Sequence, residues 1–561
     1  MGAGTAASTD IPVSDWGARR RLTHLSYGGM VGATVLLLAS GTPSLLPRTW
    51  IFQGVISGGA AAAGYAVGVL LAWLTRFMVS RDRAWPRPQR FWWWALAFVG
   101  VFDAVVMTYW NVRWQNEIRD FMGIDRVGFG AVPLVLAVAL GVFLGCMLIG
   151  KLWLIGMREL VDLLRRFIPS RLATALGAYA AIALTVLLVN GVLVESVMRV
   201  LNNTFAAANN EMQANTPAPT SPLRSGGPGS TVSWDSLGRE GRVNIASGPT
   251  VAQLTAFNGA PAKEPIRVYA GLGSGEELTD IAQAAVRELE RTGGFRRKLI
   301  AIGNATGLGW LNKSEIDTLE YMYNGDTALV SMQYSYLPSW ISFLVDKERA
   351  RQAGTALFEA VSERVRDLPE AQRPKLVVFG ESLGSFAGES PFGSIPTVAA
   401  RTDGALFTGP TFNNRLWEDT TRNRDPGSPQ VQPVFNRGKY VRFVADETEL
   451  DRPATPWRQG RIVYVQHPSD PVTWFNPTLL LREPDWLKEK RGRDVLPTMR
   501  WIPVVTFLQV SADMAVANGV PDGHGHHYLR VVPFAWATIL QPPGWTDEKT
   551  RRLLPLLVRG E

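Results

Sequence analysis

Cysteine is almost absent from this 561-residue chain: the one present, Cys146, lies inside an apolar run. That excludes an intrachain disulfide, a four-cysteine zinc site and a cysteine-pair redox motif. Histidine is nearly as scarce, with His24, His467, His524, His526 and His527 the full set. Chemistry that needs an imidazole therefore has few sources. A concentrated basic-aromatic stripe is missing as well. The formal charge of +8 comes from 57 Lys and Arg against 49 Asp and Glu, and much of the arginine sits in short segments beside long apolar runs. That distribution points to membrane topology and away from nucleic acid. No Walker lysine and no full dinucleotide fingerprint occur, so no cofactor is expected.

What the first 200 residues do have is apolar length. Stretches near 25–46, 53–78, 91–110, 128–156 and 172–200 are each long enough to cross a hydrocarbon core of about 30 Å. The first is long for a signal peptide and no clear small-residue cleavage site follows it, so it reads as a span. Trp50, Trp92, Trp93, Trp94, Trp110 and Trp114 fall at predicted span ends, where indoles favour the headgroup layer.

Arginines set the orientation. Arg19 to Arg21, the cluster from Arg76 to Arg90, and the segment Lys151 to Arg171 mark cytoplasmic sides, whereas the alternate loops are poorer or charge-balanced. Five spans place everything after residue 200 outside the cytoplasm, which predicts a multi-pass protein of the cytoplasmic membrane with an extracytoplasmic C-terminal part. Gly54/Gly58, Gly64/Gly68 and Gly141/Gly145 have the spacing that lets helices approach closely, within or between chains; oligomeric state stays open. Asp103, in mid-span, is costly in hydrocarbon unless paired, protonated or facing water, and is a candidate site residue. The segment 158–171 mixes charges with Leu160, Val161, Leu163, Leu164, Phe167 and Ile168, as an interfacial helix would.

Composition then divides the chain into a transmembrane helical domain at 1–205, a flexible linker rich in Asn, Thr, Ser, Pro and Gly at 206–260, and a catalytic domain at 261–561. In the last part, β-rich runs at 266–269, 298–302, 328–334, 375–379, 405–408, 440–444 and 462–466 alternate with helical segments such as 276–292 and 346–366. Such alternation predicts a mostly parallel sheet with helices on both faces. The expected fold is thus an all-α transmembrane bundle of about five helices followed by an α/β-hydrolase-like domain.

The strand Lys375–Phe379 runs into Gly380-Glu381-Ser382-Leu383-Gly384. A Gly-x-Ser-x-Gly turn between strand and helix lifts a serine hydroxyl to where it can attack an acyl carbon. The pentapeptide alone is weak, and its context decides. A serine needs a base, and the base an acid, in the order Ser, Asp or Glu, His for this type of sheet. His526 is the first choice of base and His524 the alternative, with His527 in the same cluster. Asp470, just past the run 462–466, is the preferred acid, Asp446 the runner-up, and His467 a neighbour of that acid. For the oxyanion, the Leu383 N–H is one expected donor and Thr306 or Gly307, in Asn304-Ala305-Thr306-Gly307-Leu308-Gly309-Trp310, the other. Zinc held by His524, His526, His527 and Asp522 is disfavoured by crowding, so no metal is expected.

Pro43-Ser44-Leu45-Leu46-Pro47-Arg48, Thr306-Gly307-Leu308-Gly309-Trp310, Gln333-Tyr334-Ser335-Tyr336-Leu337-Pro338-Ser339-Trp340, the Ser382 pentapeptide, Gln466-His467-Pro468-Ser469-Asp470-Pro471 and Gly523-His524-Gly525-His526 together resemble a bacterial, actinobacterial-type family of membrane-anchored α/β-hydrolases with an N-terminal multi-span domain. The resemblance implies a serine-hydrolase fold and a catalytic Ser382, and leaves the substrate undefined. The expected function is an esterase, lipase or acyltransferase acting on a lipid or cell-envelope acyl ester. Segments around 411–460 and 476–500, with Trp417, Phe435, Trp457, Leu479, Leu480, Leu481 and Trp486, form a candidate cap. A lipid-binding or transport protein with a non-catalytic hydrolase-like domain is the alternative from another class.

Overall fold

Long apolar runs without an interior proline become helices in the computed structural model, which describes residues 25–79, 88–187, 208–209 and 216–558. The chain forms two compact units. In the first, the helices are α1 (Tyr27–Ala39), α2 (Trp50–Val79), α3 (Arg90–Met122), α4 (Val132–Leu164) and α5 (Ser170–Leu187). Four of them, all but α1, are long and apolar enough to cross a membrane.

The span expected at 25–46 is therefore shorter than the sequence suggested. α1 has 13 residues, about 20 Å of helix at 1.5 Å per residue. Ser40 and Thr42 return their hydroxyls to the carbonyls of Leu37 and Ala39, and Pro43 cannot continue the helix. Part of the expected fifth span, 188–200, lies outside the described residues. The stretch 158–171 is not a separate interfacial helix: its first half is the end of α4, and α5 begins just after Pro169.

Glycines decide which helices meet. A Cβ at Gly64 would collide with the backbone of Gly32, and one at Gly68 with that of Gly28, so α1 and α2 touch through bare backbone. Gly54 and Gly58 similarly admit Val138 and the Ala139 carbonyl of α4. Gly141 and Gly145, read as a third packing pair, face open space instead.

The second unit comprises Pro43–Arg48, Trp114–Val127 and the described residues of Leu188–Glu561. Its sheet has seven strands: β1 (Ile266–Ala270), β2 (Leu299–Gly303), β3 (Thr327–Met332), β4 (Lys375–Glu381), β5 (Gly404–Thr408), β6 (Val441–Val444) and β7 (Arg461–Val465). Their order is β1-β3-β2-β4-β5-β7-β6, with every neighbouring pair parallel. Continuous burial along the strands fits a sheet covered on both faces. After β2 the chain moves toward β3 and β1, whereas after β4 it moves toward β5. The crevice at the C-terminal ends of β2 and β4 is thus a topological switch point, where sheets of this kind bind their ligands.

Two expected boundaries change. The described part of the predicted linker is folded, with helices Gly238–Ala246 and Val251–Asn258 and with Leu237, Ile245 and Leu254 fully buried. Ser225 also bonds backbone to backbone with Arg267 beside the sheet edge. Proline, glycine and serine here shape turns between apolar anchors rather than loosening the chain. In addition, residues 43–48 and 114–127, assigned by sequence to the bundle, belong to the unit that carries the sheet.

The helix contacts make a direct prediction. Gly64→Leu should separate α1 from α2 and lower the thermal midpoint in detergent, as overpacking by about 1–3 kcal/mol or more would, whereas Gly145→Leu should leave that midpoint unchanged.

Candidate active site

Ser382 sits at the end of β4 with φ 56° and ψ −120°, backbone angles that a side-chain-bearing residue rarely adopts. The turn is held because the Ser382 N–H donates to the Thr408 carbonyl at 2.9 Å, while its own carbonyl accepts from Phe386 N–H and from Ser385 Oγ at 2.7 Å. The flanking glycines are required by contact. A Cβ at Gly380 would strike Gly384, and one at Gly384 would strike the Asn304 carbonyl oxygen. The loop after β2 therefore lies against the helix Leu383–Glu389 that follows the serine.

Asp470 and His526 meet 56 residues apart in sequence: His526 Nδ1 lies 2.7 Å from Asp470 Oδ2. The same oxygen accepts from the Tyr528 hydroxyl at 2.6 Å and Thr473 Oγ1 at 3.0 Å, and Oδ1 accepts from Val472 N–H at 2.8 Å. Burial opposes ionisation of Asp470, but His526 and these donors outweigh it and hold the carboxyl below the usual carboxylate range. Burial likewise opposes the imidazolium, yet Asp470, aided by Glu381, raises the His526 pKa above its ordinary 6.5. With Asp470 accepting, Nδ1 carries the proton and Nε2 presents its lone pair. Nε2 is buried and has no hydrogen-bond partner.

The ring's position relative to the elbow follows from β5. A Cβ on Gly409 would run into the His526 imidazole, and the preceding residue, Thr408, is the one that accepts the Ser382 N–H. Glu381, one residue before the serine, is close enough for its charge to act on His526. Ser382 Oγ and His526 Nε2 are not hydrogen-bonded to each other.

For an oxyanion, the first-turn N–H of Leu383 has no helical partner. Thr306 does not fit the expected backbone role. Its N–H is spent on the Trp310 carbonyl at 2.9 Å, closing a tight turn. Gly307 N–H lies by the buried Tyr334 hydroxyl. Ala305, adjacent to the Asn304 carbonyl that abuts Gly384, was not singled out by sequence; a plain alanine carries no signal for a role played by its backbone.

The remaining candidates separate. His524 pairs through Nδ1 with Asp494 at 3.1 Å, and His527 Nδ1 lies 3.1 Å from the Val520 carbonyl, so the three clustered histidines face three different partners. Asp446 takes Arg493 and Thr448 rather than an imidazole. His467 donates from Nδ1 to the Gly525 carbonyl at 2.9 Å and stacks on Tyr528 at 4.3 Å. It supports the histidine loop and does not touch the Asp470 carboxylate. His467, Asp446, Asp494 and His524 line a separate cavity of about 460 Å³.

Sequence reasoning also missed a buried polar layer beneath the serine. Asn312 Nδ2 donates to Glu381 at 2.7 Å and to the Tyr528 carbonyl at 3.1 Å, while Thr408 Oγ1 donates to Glu315 at 2.9 Å. Burial pushes both carboxyls up, Glu315 the more strongly, with Glu381 adding to its shift. Phe343, Phe412, Phe475 and Phe507 form a chain of ring contacts 5.4 to 5.6 Å apart. Phe343, Phe412 and Phe475 come from segments that follow β3, β5 and β7, the edge of the sheet that carries Ser382. Of the predicted cap residues, Trp417, Leu479 and Trp486 are buried, whereas Leu481 is exposed.

A model of an alpha/beta-hydrolase family matches residues 266–553, and a model of the N-terminus of an alpha/beta-hydrolase family matches residues 42–249. No curated protein and no solved structure matches the chain.

Three outcomes follow from this geometry. Protonated His526 cannot accept the serine proton, so kcat/KM for an ester should rise with pH through a limb above 6.5. Asp470→Asn removes the charge that raises that pKa, and should move the limb to lower pH while reducing turnover by about 10³–10⁴. Gly384→Ala should cost at least tenfold by displacing the Asn304–Ala305 backbone, read from the same assay.

Proposed function

This chain belongs to the alpha/beta-hydrolase family, and from that premise we propose that it is a membrane-anchored serine hydrolase or acyltransferase working through Ser382, His526 and Asp470. The observation that carries the reading is the His526 ring: one nitrogen is fixed on a fully buried carboxylate, the other is buried and unpartnered, and the ring packs on Gly409 and feels the charge of Glu381, the residue before Ser382.

In the proposed reaction Ser382 Oγ attacks the ester carbonyl as His526 Nε2 takes its proton. The oxyanion receives the Leu383 N–H and a second backbone N–H from the loop after β2, for which Ala305 is the better candidate because the Thr306 N–H is already used. Collapse expels the alcohol, protonated by His526, and leaves an acyl group on Ser382. Water arriving next gives hydrolysis, whereas a sugar or lipid hydroxyl gives transfer. His526 deprotonates either acceptor.

The substrate class follows from anchoring. Four helices long and apolar enough to cross a membrane keep the catalytic unit close to a bilayer, and the phenylalanine chain offers an apolar surface to an acyl group. The arginine distribution supports an extracytoplasmic location on the cytoplasmic membrane. A lipid or cell-envelope acyl ester fits all three.

A series of p-nitrophenyl acyl esters tests this. Ser382→Ala and His526→Ala should each lose about 10⁴–10⁶ in kcat, His524→Ala should stay within a few-fold, and kcat/KM should rise with acyl length. Equal losses for His524→Ala and His526→Ala would contradict the assignment of the base.

A further inference from the structure

Residues 43–48 join α1 to α2 in the chain, yet they are built into the catalytic unit. Asp513 there gathers four groups from this one hexapeptide: the Ser44 hydroxyl, the Leu45 N–H at 3.1 Å, the Leu46 N–H at 3.4 Å, and Arg48 Nε at 3.2 Å. Arg48 and Asp513 side chains are 1% and 0% exposed, and Leu45 and Leu46 are fully buried. Gln115, from the end of α3 that also belongs to this unit, accepts the Arg48 N–H at 2.8 Å.

A buried ion pair is weak evidence for stability, because both charges lose hydration. Burial pushes Asp513 up and Arg48 down, each toward its neutral form. A positional role explains the arrangement better. Asp513 ends the helix Val505–Asp513, a single turn Met514–Val516 follows, and the next carbonyl, Ala517, accepts the His526 N–H at 2.9 Å. The same six-residue segment reaches the histidine loop a second way. Gly525 has φ +52°, and a Cβ there would meet Ala517 O and Val520 Cγ2 at 2.6 Å and Leu46 Cδ2 at 3.4 Å. Leu46 thus forms part of the wall against which the residue before His526 is packed. The opposite side of Gly525 is clamped by Ser469 Oγ and His467 Nδ1.

We infer that Pro43–Arg48 is a positioning element for the catalytic base: docked on Asp513, it fixes the backbone at Ala517 and Gly525 and thereby holds the His526 imidazole on Asp470. This rests on His526 being the base, but its geometry can be read without turnover. The hexapeptide touches neither substrate nor the reacting atoms. Its removal should therefore act on the orientation and basicity of His526 and on kcat, with KM little changed.

The test uses the full-length protein in detergent, with ¹⁵N-labelled histidine so that only five imidazoles report, in a Ser382→Ala background. Leu46→Ala should lower the His526 pKa by about half a unit or more, because contact with Asp470 is what raises it, and Leu46→Val should lower it less. In the Ser382 protein the same substitutions should reduce ester kcat, about tenfold for Leu46→Ala, at similar KM. Leu254→Ala, in a separate apolar cluster with Phe257 and Tyr321, should reduce thermal stability without moving either readout. An unchanged His526 titration in folded Leu46→Ala and Leu46→Val would overturn the inference. Absence of turnover in the wild type counts instead against the hydrolase reading and leaves the titration to decide this one.

Discussion

The buried carboxylate of Asp470 is the constraint on which the rest of the sheet-bearing unit depends. A charge taken out of water costs several kcal/mol unless donors replace its hydration, and here His526, Tyr528, Thr473 and the Val472 backbone do so. Each donor is in turn held elsewhere. The Tyr528 ring stacks on His467 and its carbonyl anchors Asn312, which reaches the carboxylate beside Ser382. One ionised group therefore ties the end of β7, the histidine loop and the nucleophile elbow into a single polar network.

The sheet supplies the place for that network. Reversal of strand order between β2 and β4 opens the crevice into which the Asn304–Trp310 loop and the Ser382 turn project. Strain at Ser382 persists because the contacts around it leave no alternative: Gly380 and Gly384 admit backbone where a methyl would not fit, and Thr408 fixes the serine N–H. The chain that connects α1 to α2 adds a further support, remote in sequence and buried in the same core as the histidine loop.

Much of this was legible in the sequence. All seven strands fall within a few residues of the predicted runs, because short apolar β-rich segments bounded by turn residues and alternating with long helices admit few other readings. The sharp turn at Ser382 was legible from its glycines, and the position of Asp470 at the end of a strand from the apolar run before it. His526 was preferred over His524 without a signal that separates the two rings, since their different partners, Asp470 and Asp494, are set by the fold of a loop with positive-φ glycines at 523 and 525. Thr306 misled because a tight turn consumes its N–H, a fact that no composition reveals. The linker misled for a related reason: its turn-forming residues hide apolar anchors spaced far apart. Least legible of all was the docking of Arg48 on Asp513, partners separated by 465 positions.

The claim on which the account stands is that Ser382 is an activated nucleophile. Treating the full-length protein with a fluorophosphonate, digesting it and locating the adduct by mass spectrometry addresses that claim directly. The account predicts one phosphonylated peptide, modified at Ser382, forming faster as pH rises through the His526 limb and absent from His526→Ala. An adduct at another residue, or none on protein that remains folded, would contradict it.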